Sequence, residues 1–143
     1  MTQLGKYEII EEIGKGGFGT VYKARDTGLD NLVALKVLHP QLMVDTRFIE
    51  NFKREAQNMA KIFHPNVVTV YEVAEVDNFL FIAMRYLPGG NLADRLKNEG
   101  PLTLEEALKI SQEVSAGVEA GHKRVIIHRD VKPENILFDE EGQ

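Results

Sequence analysis

The 143-residue sequence contains no cysteine, which excludes a disulfide framework and any zinc site built on thiolates, and which fits a reducing cytosol. Histidine is also scarce. The four histidines, His39, His64, His122 and His128, are scattered and do not pair at metal-ligand spacing. A secreted or purely structural protein therefore has little support in the composition.

Positive charge and long apolar runs are lacking as well. The 17 Lys and Arg residues are outnumbered by 22 Asp and Glu residues, giving a net charge of −5, so we expect no nucleic-acid partner. No stretch approaches the roughly 20 apolar residues of a membrane helix, and the first residues lack a signal-peptide core. We therefore expect no membrane segment in this chain and a cytoplasmic location.

The residues that are present describe a folded globular chain. Apolar residues make up 43% of the sequence and charged residues 27%, a mixture that is too apolar for a disordered chain. The length corresponds to about one domain. No internal repeat or low-complexity segment interrupts it.

Sequence patterns in the first part of the chain predict a sheet with one helix. β-Branched and aromatic residues alternate with polar ones, or form short apolar runs, in five segments. The five predicted strands span residues 7–13, 20–24, 32–38, 67–75 and 79–86. Between the third and fourth strands, a helical period predicts a helix over residues 46–63.

A break in the pattern predicts two domains. Residues 87–90, LPGG, interrupt the regular structure, so we divide the chain into 7–87 and 88–143. The second part reads as helical. A short helix is predicted near its start, and a longer one follows Thr103, which makes a capping box with Glu106.

The pattern Gly14-x-Gly16-x-x-Gly19 suits a loop that lies against phosphate groups, because glycine lets backbone N–H groups approach closely. Alone it is weak evidence, since a glycine-rich hairpin turn explains it equally well. In a dinucleotide-binding fold such a loop leads into a helix, whereas here it leads into the strand-like residues 20–24. The Gly-Lys-Ser/Thr ending of phosphate-loop NTPases is absent. A strand–loop–strand cover over a nucleotide's phosphates remains.

A lysine and a glutamate occur among apolar neighbours. Lys36 lies within the apolar run 32–38, and Glu55 lies on the same helical stripe as Phe52 and Met59. Each has an ordinary explanation, a lysine on an edge strand or a glutamate at the border of the stripe. Burying either charge alone is costly. Together they indicate a mutual ion pair that presents Lys36 to an anion.

The segment HRDVKPEN, residues 128–135, is dense in groups suited to phosphoryl transfer. Asp130 can accept or orient a hydroxyl proton, Lys132 can neutralise charge on a transferred phosphoryl group, and Asn135 offers an oxygen ligand to Mg²⁺. A generic charged loop does not explain this order of residue types.

In combination, these motifs resemble those of the protein kinases, specifically the eukaryotic-like serine/threonine kinases of bacteria. The matching segments are IGKGGFGTV (13–21), VALK (33–36), Glu55 and HRDVKPENILF (128–138). Lys132 is typical of serine/threonine specificity. The resemblance implies an α+β fold, with an antiparallel five-stranded small lobe carrying one helix, then the first helices and catalytic loop of a helical large lobe.

The resemblance also implies an activity and a role for each matched position. The activity is phosphoryl transfer from Mg-ATP to a Ser or Thr hydroxyl of a protein substrate. Asp130 is the expected catalytic base, Lys132 stabilises the transferred phosphate, and Asn135 binds Mg²⁺. Lys36, fixed by Glu55, holds the α and β phosphates. The residues expected to contact ATP are Ile13, Gly14, Lys15, Gly16, Gly17, Phe18, Gly19, Val21, Ala34, Lys36, Met84, Arg85, Leu87, Asn91 and Leu137.

Parts of that set have more specific expectations by resemblance. The adenine is expected to lie between Ile13, Val21, Ala34 and Leu137. Met84 corresponds to the gatekeeper at the back of the pocket. Arg85, Tyr86 and Leu87 correspond to the hinge, which binds adenine through backbone groups. Asn91 matches a position that often contacts ribose.

The Asp-Phe-Gly triplet that follows the catalytic loop in kinases does not occur in the 143 residues. We therefore expect an incomplete catalytic domain that is inactive alone, and bacterial relatives often carry a membrane anchor downstream. The alternative is a non-catalytic nucleotide-binding or regulatory half-kinase module. Such a module has no chemical need for the catalytic and metal-binding residues retained here.

Overall fold

The structure is a computed structural model that describes residues 2–123 and 135–143. Contacts divide the chain into two compact units. The first unit comprises Met1–Lys61 and Thr69–Tyr86, and the second comprises Ile62–Val68 and Leu87–Gln143. Within the described ranges, no helix combines the length and apolar character needed to cross a membrane.

The first unit is a single antiparallel sheet with one helix. Its strands β1 to β6 are Gln3–Leu4, Tyr7–Lys15, Gly19–Asp26, Asn31–Leu38, Val70–Val76 and Phe79–Arg85. They lie in the order β1-β2-β3-β4-β6-β5. The predicted antiparallel sheet is confirmed with six strands rather than five, because β1 has only two residues and shows no periodicity in the sequence.

One face of the sheet forms the inside of a curl. Side chains alternate between the faces along a strand, so every second residue of β4 points inward. The buried cluster on this face consists of Leu4, Tyr7, Ala24, Val33, Leu35, Val37, Phe81 and Ala83. The Tyr7 and Phe81 rings meet edge to face with centroids 5.6 Å apart. This cluster ties β1 and β2 to the central strands.

The helix α1, Thr46–Ala60, covers the other face. Phe52 and Ala56 are one helical turn apart and form a second buried cluster with Leu38, Leu80 and Ile82. A short 3-10 turn, residues 40–44, connects β4 to α1.

The described residues of the second unit contain two helices whose first turns are capped by side chains. They are α2, Leu92–Glu99, and α3, Leu104–His122. The Asn91 Oδ1 accepts a hydrogen bond from Asp94 N at 2.8 Å. The predicted capping box of α3 is confirmed, with Thr103 Oγ1 accepting from Glu106 N at 3.1 Å. Hydrogen bonds from Thr103, helped by Arg95, hold the pKa of Glu106 below its ordinary value.

A polar cluster closes the curl of the sheet. The Tyr7 hydroxyl on β2 donates to Glu72 Oε2 on β5, although these strands are not neighbours in the sheet. The Lys6 ammonium lies 3.3 Å from Glu72 and 3.6 Å from Asp26. Burial, reinforced by the bond to Glu72, raises the pKa of Tyr7 well above its ordinary value.

Asp26 gives this cluster a predicted pH dependence. Burial alone would raise the pKa of Asp26, but the N–H groups of Leu29 and Gly28 and the ammonium of Lys6 outweigh it and lower the pKa below 3.8. A carboxyl group with a lowered pKa stabilises the fold above its ordinary pKa, and that contribution is lost as the pH falls. We expect Asp26→Asn to reduce the free energy of unfolding at pH 7, and less so towards pH 3.

Urea denaturation of both proteins at pH 7, 5 and 3 measures this effect. Asp77→Asn is the matched control, because Asp77 is exposed with a φ of 51° that asparagine tolerates. The control should leave the free energy of unfolding nearly unchanged at every pH. A destabilisation by Asp26→Asn that is equal at pH 7 and pH 3 would contradict the assigned electrostatic role.

Candidate functional site

The glycine-rich loop joins β2 to β3 and leads into a strand rather than a helix, as predicted. Gly19 is required by packing, because a Cβ at this position would lie 2.3 Å from the carbonyl oxygen of Val37 on β4. The end of the loop is therefore held closely against β4. Its chain direction does not fit the loop-to-helix geometry of dinucleotide-binding folds.

Three other glycines of this loop have no such requirement. Gly14, Gly16 and Gly17 are not among the positive-φ glycines of the described residues. A Cβ added to any of them would meet no atom closer than 3.7 Å. Neither backbone conformation nor internal packing therefore demands glycine there. Open space beside a bare backbone suits a ligand that approaches the peptide groups directly.

Strand pairing brings five predicted ATP contacts to one face of the sheet. Directly paired residues of antiparallel strands lie on the same face. Val21 pairs with both Gly14 and Lys36, and Ala34 pairs with Met84. Because Ala34 and Lys36 are two residues apart on β4, all five share what we call the Lys36 face.

Lys36 lies on the side of the sheet that α1 covers. It pairs with Ile82, which belongs to the same buried cluster as Phe52 of α1. Lys36 is partly buried, and no carboxylate among the described residues lies within ion-pair distance of it. The ammonium is thus held beside the core and available to an anion.

The predicted ion pair between Lys36 and Glu55 is not formed in this structure. Glu55 is exposed, and no ion pair of the described residues joins the two side chains. The inward face of α1 is defined by Phe52 and Ala56, and Glu55 lies about 60° around the helix axis from Phe52. The apolar stripe read from the sequence therefore predicted that Glu55 faces the sheet more directly than it does. Both residues nonetheless lie on the same side of the sheet.

The remaining ATP contacts predicted in the first unit lie at its edges. Ile13 and Lys15 are exposed on β2, and Arg85 ends β6 partly buried. The Phe18 side chain is 60% exposed at the tip of the glycine loop. Its ring packs against Phe48 of α1 with centroids 5.7 Å apart. This contact connects the loop tip to the helix.

Two predicted nucleotide contacts meet in the second unit. Asn91 and Leu137 form an isolated antiparallel bridge, and Leu137 is partly exposed. The Asn91 Oδ1 caps α2 by accepting from Asp94 N. The side-chain amide nitrogen of Asn91 is therefore the atom left for the predicted ribose contact. Leu87 also lies in this unit and is partly buried. Asn135 is exposed and lies two residues before Leu137.

The predicted catalytic residues Asp130 and Lys132 lie outside the described residues, so their roles stay predictions. Within the ranges 2–123 and 135–143, no three His, Asp or Glu side chains cluster in a way that could hold a metal ion. Asn135 likewise stays a predicted Mg²⁺ ligand.

Comparison with known proteins decides the family. The family model described as the protein kinase domain matches residues 7–143. The chain belongs to the protein kinase family. The resemblance found in its motifs is therefore confirmed.

Bacterial serine/threonine kinases are among the similar proteins. Serine/threonine-protein kinase PrkC of Bacillus subtilis is 41% identical over 138 residues, which cover 96% of this chain and 21% of PrkC. Serine/threonine-protein kinase PknD of Mycobacterium tuberculosis is 38% identical over 136 residues, covering 95% of this chain and 20% of PknD. The chain spans about a fifth of the length of these curated relatives. These relatives are serine/threonine kinases by their names.

A solved structure supports the same assignment for the fold. The crystal structure of the M. tuberculosis PknI kinase domain matches with a TM-score of 0.83 and 31% identity, covering 99% of this chain and 58% of that one. The predicted kinase-like α+β fold is confirmed.

Proposed function

We propose that this chain is the ATP-binding part of a serine/threonine protein kinase, with residues 7–87 as the small lobe and 88–143 as the start of the large lobe. The observation that carries the proposal is the Lys36 face next to a loop in which the fold itself does not require Gly14, Gly16 or Gly17 to be glycine. An ammonium beside open backbone is suited to a triphosphate.

The nucleotide is proposed to lie along the Lys36 face. Val21, Ala34 and Ile13 supply apolar contacts to the adenine from the first unit. Lys36 binds the α and β phosphates, because a partly buried ammonium with no carboxylate partner in the described part of the chain gains strongly from an anion. The amide groups of the glycine loop cover the phosphates. ATP is a cytoplasmic metabolite, so the cytoplasm is the proposed site of action.

Glu55 is proposed to pair with Lys36 in the active state. In support, α1 packs on the same face of the sheet through Phe52 and Ala56. Pairing requires a rotation of α1 that brings Glu55 towards the sheet. The carboxylate would then fix the ammonium between itself and the phosphate oxygens.

Phosphoryl transfer is proposed to use the segment 128–135. Asp130 accepts the proton of the substrate Ser or Thr hydroxyl while the oxygen of that hydroxyl forms a bond to the γ phosphorus. The bond between the γ phosphorus and the bridging oxygen breaks, and ADP leaves with that oxygen. Lys132 neutralises charge on the transferred group. Asn135 is the proposed ligand for Mg²⁺, which when bound would neutralise phosphate charge.

Transfer of radiolabelled phosphate from ATP to a protein substrate tests this proposal. We expect a polypeptide extended through the rest of the kinase domain to transfer phosphate, and the 143 residues alone to show negligible turnover. The reason is that Asn135, without the Asp of an Asp-Phe-Gly triplet, leaves the metal site without its carboxylate.

The control is Asp130→Asn in the extended polypeptide, which should lower turnover at least about a hundredfold. Comparable turnover by the two lengths would contradict the expected inactivity of the shorter one. ATP binding without transfer by the extended polypeptide would instead favour a non-catalytic nucleotide-binding module.

A further inference from the structure

His39 holds the glycine loop through both its backbone and its side chain. It follows β4 directly. Its backbone N–H donates to the carbonyl oxygen of Phe18 at 2.8 Å. Its ring Nε2 lies 2.8 Å from the carbonyl oxygen of Gly16. The residue after β4 is thus bonded to two successive parts of the loop between β2 and β3.

The side-chain bond has a defined direction. A carbonyl oxygen only accepts hydrogen bonds, so the His39 Nε2 must carry a hydrogen and donate it to Gly16. His39 is only partly buried. The side chain belongs to neither buried cluster, and its hydrogen bond is to the Gly16 carbonyl.

This bond also determines the direction of the next amide. The Gly16 carbonyl and the Gly17 N–H belong to one planar trans peptide unit, so they point in opposite directions. Holding the carbonyl towards His39 turns the Gly17 N–H away from it. Among the described residues, the N–H groups of Gly17 and Phe18 donate to no acceptor. Gly16 N, by contrast, is already bonded to Gly19 O at 2.9 Å.

We propose that His39 is a positioning residue for phosphate binding: its Nε2–H fixes the Gly16 carbonyl and thereby aims the Gly17 N–H at a phosphate oxygen of the nucleotide. The inference rests on the proposed function, because it assigns the ligand of the loop as ATP. The phosphate contact is made by Gly17, and His39 acts through the peptide group. No charge on the imidazole is required.

Side-chain substitutions at His39 separate this role from simple bulk or charge. Leucine keeps bulk but loses the donor. The amide nitrogen of glutamine reaches about as far as Nε2, whereas that of asparagine reaches only as far as Nδ1. All three retain the backbone bond to Phe18. His122→Leu is the control, because His122 is exposed at the end of α3.

The affinities for ATP and for adenosine are measured for each variant by calorimetry. We expect His39→Leu and His39→Asn to weaken ATP binding about threefold to tenfold and His39→Gln to remain within about twofold of the parent. Adenosine affinity should not change in any variant, since the loop contacts only phosphates. His122→Leu should match the parent for both ligands.

The amide resonance of Gly17 in the nucleotide-free chain provides a second measurement. It should shift in His39→Leu and His39→Asn but not in His39→Gln. The positioning role is overturned if glutamine behaves like leucine, or if leucine changes neither the resonance nor ATP affinity. A chain that binds ATP no better than adenosine, while the Gly17 resonance follows the expected pattern, would instead refute the proposed function and leave the peptide orientation established.

Discussion

Replacing Lys36 with methionine is expected to weaken ATP binding about 10- to 100-fold. The methionine keeps the length and the apolar stem but removes the ammonium, and a hydrogen bond to a charged group contributes about 1.5–3 kcal/mol. In this structure the ammonium of Lys36 has no carboxylate partner among the described residues, so its removal leaves no buried anion unpaired. Calorimetric titration with Mg-ATP measures the affinity directly.

The matched control is Lys109→Met. Lys109 carries the same charge on the exposed face of α3 and lies 4.0 Å from Glu113. This control should leave ATP affinity within about twofold of the parent, because exposed charges at a distance are screened by salt. Equal losses in both variants would mean that net charge, and not the position of Lys36, governs binding.

The second large effect concerns stability. Gly19→Ala is expected to lower the free energy of unfolding by about 1–3 kcal/mol, the usual range for overpacking a filled site. The added Cβ would lie 2.3 Å from the Val37 oxygen, which is backbone and held in the β3–β4 ladder. The strands must therefore separate locally. Urea denaturation at neutral pH gives the size of the effect.

Gly17→Ala is the matched control in the same loop. Nothing lies within 4 Å of a Cβ at Gly17, so its free energy of unfolding should stay within about 0.5 kcal/mol of the parent. ATP affinity should nevertheless fall, because the methyl group occupies the space proposed for phosphates. If Gly17→Ala were as destabilising as Gly19→Ala, the open space beside the loop would not exist as described.

The order and type of the regular elements could be predicted from sequence, because periodicity and turn residues are local signals. The capping box at Thr103 is an example, since it needs only residues three apart. The predicted first and last residues of these elements were less accurate than their order and type. The helix predicted over 46–63 ends at Ala60, where the chain leaves the first unit soon afterwards. Strand β1 was missed because two residues carry no period.

The candidate site could be predicted in its chemistry but not in its full geometry. Lys36 was conspicuous because an ammonium in an apolar strand requires an explanation. Gly14, Val21 and Met84 share the face of Lys36 because of the strand register. Bulges in β2 shift that register by whole residues, and the sequence does not reveal them. These positions were assigned as ATP contacts by resemblance. The strand pairing in the structure shows that they share one face of the sheet.

Glu55 and His39 show two different limits of the sequence. Glu55 sits between Phe52 and Met59 on a helical stripe, but a stripe is wide enough to leave one border exposed. A rotation of about 60° decides whether such a side chain faces the sheet. His39 carried no signal, because its contact with Gly16 joins residues 23 apart through the shape of a loop.

The central claim is that ATP binds along the Lys36 face beneath the glycine loop. Amide chemical-shift mapping during titration with Mg-ATP tests it most directly. The account predicts that the shifts concentrate at residues 14–19, 34–36 and 84–85. Shifts confined instead to the groove of about 300 Å³ that is lined by Ile62–His64 and the end of α3, or no shifts at millimolar ATP, would contradict it.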